Sequence, residues 1–145
     1  MSLFAFAAFA AAATASAAPH AHSVQLDHRG STYQVDYRAH VETRTRTIGM
    51  SPPTRPSSQR CVLTANVSVE RVIGGQAGHE LKAMLPGKES FTRYLPGDCR
   101  NRQDQLAKLV EDKSQAIGAH LARAAVDDHQ SALAAIETAH HFAAN

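Results

Sequence analysis

Between Gln59 and Ile73 the chain alternates apolar and polar residues with a period of two. Cys61, Leu63, Ala65, Val67, Val69 and Ile73 fall on one side, broken only by Arg71. Arg60, Thr64, Asn66, Ser68 and Glu70 fall on the other, with Val62 and Val72 as exceptions. Successive side chains of a strand point to opposite faces, so this pattern predicts a half-buried strand in an antiparallel sheet. The preceding stretch carries the same signal: Tyr33, Val35, Tyr37, Ala39 and Val41 alternate with Gln34, Asp36, Arg38, His40 and Glu42. β-Branched Thr43, Thr45 and Thr47 then carry that strand on to Ile48 as an exposed extension.

A weaker alternation over Ser23–His28, followed by the turn residues Arg29-Gly30-Ser31, joins the first two runs as a hairpin. Gly49 to Ser58 contains Pro52, Pro53 and Pro56, which cannot donate to a ladder, so it reads as a loop. A glycine-rich turn over 74–78 leads to a fourth strand at His79–Leu85. Pro86-Gly87-Lys88 turns the chain again, before a fifth strand at Glu89–Leu95.

From Asn101 the period becomes helical, with Leu106, Leu109, Val110, Ile117 and Leu121 recurring at helical spacings. Asp127 with Gln130 has the form of a reciprocal cap, so a second helix is expected to start there and to carry Leu133, Ile136, Ala139 and His140. A single long helix bent at Val126 is the competing reading. Sheet first and helices last define an α+β domain: an antiparallel sheet of four or five strands (22–99), then a C-terminal helix pair (101–143). The helices are expected over the face carrying Tyr33, Val35, Tyr37, Leu63, Val67 and Val69.

Composition adds a destination. Met1 to Ala18 holds no charge and consists mostly of Ala and Phe, ending in Ala15-Ser16-Ala17 before Pro19. An apolar run of this length with small residues at its end reads as a secretory signal peptide (1–17) cut after Ala17 rather than as a membrane span. The basic residues that usually precede such a core are missing. The exported chain, 18–145, is then a single domain with no transmembrane segment, periplasmic or secreted. No cysteine lies near the cut, so no lipid anchor is expected. Two cysteines in an exported chain, Cys61 and Cys99, most simply form one disulfide; they lack the Cys-x-x-Cys spacing of a redox pair.

The charge is nearly balanced, 15 Lys and Arg against 13 Asp and Glu, which does not mark a nucleic-acid protein. Tryptophan is absent and aromatic residues make up only 6% of the chain, so stacking platforms for bases or sugars are not expected. The basic charge is clustered, however. Arg38, His40, Arg44 and Arg46 share one strand face, with Arg55 and Arg60 nearby, and they define a candidate binding patch for an envelope protein or an anionic envelope polymer. The bland reading is the ordinary polar face of a one-sided sheet.

Nine histidines raise the question of metal. His20 and His22 are weak candidates: with Pro19 second in the mature chain, the amino-terminal copper motif loses a backbone amide it needs. Adjacent His140 and His141 point about 100° apart on a helix and share a metal poorly. No cofactor is expected. Gly-x-Ser-x-Gly, Walker and dinucleotide patterns are absent. A small hydrolase remains the alternative from another class, and it requires His40 or His79 in a cleft beside Asp or Ser.

The run Tyr33 to Met50 (YQVDYRAHVETRTRTIGM) followed by Thr54 to Cys61 (TRPSSQRC) resembles a group of short uncharacterised bacterial exported proteins. The resemblance implies a bacterial envelope setting and supplies no activity, cofactor or catalytic residue. The sequence therefore favours a non-catalytic binding or structural module over an enzyme.

Overall fold

The computed structural model describes residues 20–74 and 78–143. The expected leader and its cut lie outside the described residues, as does the middle of the glycine-rich turn. The strands are β1 (Ala21–His28), β2 (Ser31–Ile48), β3 (Arg60–Gly74), β4 (Glu80–Met84) and β5 (Glu89–Pro96), followed by helices α1 (Gln103–Asp112) and α2 (Ser114–Ala143). All pairings are antiparallel, in the order β1-β2-β3-β4, with β5 also on β3. The α+β class, the five strands and the closing helix pair match the sequence expectation.

Both β4 and β5 lie along the same edge of β3. β4 pairs with Glu70–Gly74, and β5 pairs with Arg60–Val67. Between them the Leu85 N–H still donates to Val69 O at 2.8 Å. Glu89 stands opposite Val67, so Pro86, Gly87 and Lys88 together face the single residue Ser68. This is a wide bulge in what is otherwise one long edge strand, and Gly87 takes the positive φ of 92° that the bulge requires. Proline there removes a donor where no ladder bond is needed.

The odd residues of β2 and β3 face inward, as the alternation demands, and the helices cover them. One cluster packs Leu26, Tyr33, Val35, Tyr37, Val69 and Ile73 against Leu121, Ala125, Ala132 and Ile136 of α2. A second packs Cys61, Leu63 and Ala65 against Leu106 and Leu109 of α1, with Phe91 and Leu95 at its margin. Each fully buried Leu, Val or Ile removed from water contributes about 1.5–3 kcal/mol. Cys61 and Cys99 form the expected disulfide, tying the start of β3 to the segment between β5 and α1 across 38 positions. The Cys99 N–H also donates to Thr47 Oγ1 at 3.1 Å, fixing the same corner to β2.

The helix break falls at Lys113 rather than at Val126. The Lys113 N–H donates to the carbonyls of both Leu109 and Val110, and the Lys113 carbonyl accepts from Ile117, so the chain turns without a loop. With the break there, α1 packs on β3 and the margin of β5 while α2 packs on β1, β2 and β3. Asp127 and Gln130, expected to cap a second helix, lie instead in the middle of α2, which runs for 30 residues through that position. The neighbouring Asp128 is taken by tertiary partners: its carboxylate accepts from Arg71 and Tyr37. No helix among the described residues is long and apolar enough to cross a membrane.

Candidate functional site

Among the described residues no helix covers the opposite face of the sheet. Its residues are the even positions of β2 and β3 together with their partners on β4 and β5, and the register divides it into two halves. In one half the charges are matched. Arg38 Nη2 lies 3.6 Å from Asp36, His40 Nε2 lies 3.1 Å from Glu70, and Lys82 Nζ lies 3.0 Å from Glu80. Glu42, opposite Asn66, marks the boundary.

Beyond Glu42 the matching stops. Arg44 stands opposite Thr64, Arg46 opposite Val62, and Arg60 closes the face between Ile48 and Pro96. Among the described residues no carboxylate forms an ion pair with Arg44, Arg46 or Arg60. Tyr94 lies across Val62 from Arg46 and is 62% exposed, unusual for an aromatic ring on a solvent face. These side chains border a shallow groove of about 640 Å³ lined by Arg44, Arg46, Ile48, Val62, Asn66 and Tyr94. An exposed aromatic plane beside uncompensated guanidinium groups can take an anionic group by charge, by fork-shaped hydrogen bonding and by stacking.

The structure thus gathers Arg38, His40, Arg44, Arg46 and Arg60 on one face, and it divides them into paired and unpaired groups. Arg55 lies instead in the exposed loop after β2. That loop is anchored by Gly49, whose φ is 89° and whose missing Cβ would stand 2.5 Å from the Ser58 carbonyl oxygen. The paired half has a source the sequence displays only in retrospect: Asp36 and Glu70 share a face with Arg38 and His40 across one strand junction.

The inner face and its helices hold three polar clusters that sequence reasoning missed. Arg71 and Asp128 form a buried ion pair, with Tyr37 donating to Asp128 Oδ2 at 3.1 Å. Burial, with the Asp128 carboxylate beside it, pushes the Tyr37 phenol well above the usual tyrosine range, so it remains a donor. His28 Nε2 stands 2.6 Å from Glu137 Oε2, and Arg29 pairs with the other oxygen of the same carboxylate. Glu89, at the start of β5, pairs with His120 at 3.1 Å and with Arg123 at 3.4 Å. One signal was available: Arg71 is the single charged residue on the apolar side of β3, and a charge there needs an acid from whatever covers that side.

The hydrolase expectation placed His40 or His79 in a cleft beside Asp or Ser. His40 lies on the open face against Glu70, and His79 borders an apolar groove whose lining contains neither Asp nor Ser. A cleft of about 260 Å³ between the β4–β5 bulge and α2 does collect His120, Asp127, Asp128 and Ser131. Among the described residues, however, no hydrogen bond joins Ser131 to His120, whose Nδ1 is taken by Glu89. His20 and His22 gather no third ligand: among the described residues no group of three metal-ligating side chains occurs.

No family model, no curated protein and no solved structure matches the chain.

Proposed function

We propose that the protein is a non-catalytic binding module of the bacterial cell envelope, exported by a leader cut after Ala17, whose open sheet face takes an anionic partner. The observation that carries this reading is the division of that face. Arg44 and Arg46 line one groove with the exposed ring of Tyr94, Arg60 ends the same face, and among the described residues none of the three has a carboxylate partner, while the neighbouring half is paired with Asp36, Glu70 and Glu80. A face that needed charge only for solubility would gain nothing from gathering unmatched arginines at one end beside an exposed aromatic ring. The disulfide between Cys61 and Cys99 accords with an oxidising compartment.

Thermal unfolding of the oxidised protein against a heparin-like polyanion, lipopolysaccharide, peptidoglycan fragments and inorganic phosphate tests the reading. A ligand at about a hundred times its Kd adds roughly 2.7 kcal/mol, which raises the midpoint by several degrees for a chain of this size. The expected result is a rise with the polymeric anions that disappears in the Arg44→Ala/Arg46→Ala variant. A rise that survives that variant, or no rise with any anion, would remove the arginine face from consideration.

A further inference from the structure

Among the described residues, the edge of the sheet beside Arg44 and Arg46 is open. β1 covers β2 only as far as Arg38, and a last bond runs from the Ala39 N–H to His20 O at 3.0 Å. From there to Ile48, β2 is paired among the described residues on one side alone, by β3. The direction of the free groups follows from the ladder. The pairing of β1 with β2 and that of β2 with β3 each hold one continuous register, without a bulge. Backbone groups alternate between the two sides of a strand. Ala39 points toward the β1 side, so Val41, Thr43, Thr45 and Thr47 also direct their N–H and C=O groups there. Among the described residues nothing accepts or donates to them. Thr43, Thr45 and Thr47 are exposed.

Natural sheets protect such edges with prolines, bulges, inward charges or charged side chains along the edge. Over 41–47 only the last is present, as Glu42, Arg44 and Arg46 on the open face; the two like-charged arginines disfavour a basic strand and favour an acidic one, and the β-branched threonines suit strand pairing. Its arginines stand on the alternate positions, at the spacing of side chains along one face of an added strand.

We propose that the β2 edge from Val41 to Thr47 is a strand-addition site for an extended, acidic polypeptide segment of a partner protein. This rests on the arginine-face reading above and specifies its partner. Main-chain bonds to Val41, Thr43, Thr45 and Thr47 hold the segment in line. Carboxylates at alternate positions then fall beside Arg44 and Arg46 on the open face, where directly opposite cross-strand pairs interact. A second copy of this chain fits less well. Two-fold pairing about Thr45 sets Arg44 against Arg46. Pairing about Thr43 satisfies Arg44 with Glu42 but sets Arg46 against His40.

The test uses the oxidised full chain and a capped synthetic peptide alternating Glu with Thr, with binding read by calorimetry. Three comparisons accompany it: the same peptide N-methylated at alternate amides on the bonding side, a Lys-Thr peptide, and the heparin-like polyanion. The expected result is binding of the Glu-Thr peptide, weakened about tenfold or more by N-methylation and absent for the Lys-Thr peptide. Thr45→Pro removes an outward N–H at an edge, where proline is tolerated, and is expected to weaken the peptide while leaving the polyanion unchanged. Should that variant not fold, the methylated peptide decides alone. Equal binding of plain and methylated peptides would overturn strand addition and leave the arginine face standing. Polyanion binding without peptide binding would do the same. No binding of either would remove both, and dimerisation lost with Thr45→Pro would replace the foreign strand with a second copy.

Discussion

Both carboxylate oxygens of Asp128 accept from a single nitrogen of Arg71, Nη1, at 3.0 and 2.9 Å, beneath the sheet where each side chain is about 10% exposed. The pair joins β3 to the middle of α2, and Tyr37 adds a third contact from β2. Removing one charge leaves the other buried without a partner. Asp128→Ala is expected to cost about 3–5 kcal/mol, whereas replacing both residues with apolar ones of similar volume costs far less. Urea unfolding of Asp128→Ala, Arg71→Met and the double variant checks this. Additive single effects would show that the two residues do not act as a pair.

The Glu137 carboxylate gives the fold an acid-sensitive attachment. The hydrogen bond with His28, together with the Arg29 charge, holds its carboxyl below the ordinary value of 4.5. A group whose folded pKa is lowered contributes its stability fully above the unfolded value and loses it as the pH falls through the folded one. The contribution is therefore present at neutral pH and fades below about 4.5. Glu137→Gln is expected to lower the melting temperature at neutral pH and to flatten its decline in acid. Parallel melting curves for the two proteins across that range would refute the assignment.

The disulfide closes a loop of 38 positions. Chain entropy assigns such a closure about 4 kcal/mol. The Cys61→Ala/Cys99→Ala variant is expected to lose an amount of that order in chemical denaturation, with β5 and α1 exchanging amide hydrogens faster than β1. Uniform acceleration across the sheet would mean that the bond stabilises the whole domain rather than its corner.

Among the described glycines, Gly49 is the most closely approached by other backbone. A Cβ there would meet the Ser58 carbonyl oxygen at 2.5 Å, and the φ of 89° is itself unfavourable for other residues. Gly49→Ala is expected to destabilise by about 1–3 kcal/mol. Gly30, with a φ of 78° and open space around it, is expected to cost less on the same change because only the backbone term remains. Equal losses at the two sites would refute the steric account.

The strands were legible because period-two alternation survives whenever one face is buried and the other is wet. Tyr33 to Val41 and Cys61 to Ile73 both show it, and both lie where it places them. The helix break was not legible at Lys113, because where one helix gives way to the next follows from which strands each must cover, and local composition does not encode that. Asp127 with Gln130 looked like a cap because a pair of acids in mid-helix, one of them held by a buried arginine as Asp128 is, has the same local signature as a helix start. The basic run was visible from Arg38 onward, but its division into matched and unmatched halves depends on Glu70 and Tyr94, which reach the face only through the register of β3 with its neighbours.

The long helix has a consequence for the order of folding. The strand pairings span at most 38 positions, from Val35 to Ile73, so the sheet assembles through shorter closures than the helix does. Docking α2 joins His28 to Glu137 and Tyr33 to His140, across 109 and 107 positions. Those are the costliest loops to close, and the covalent ring between Cys61 and Cys99 contains neither end of them. The sheet is therefore expected to form first, with the C-terminal half of α2 settling last and being the first to leave.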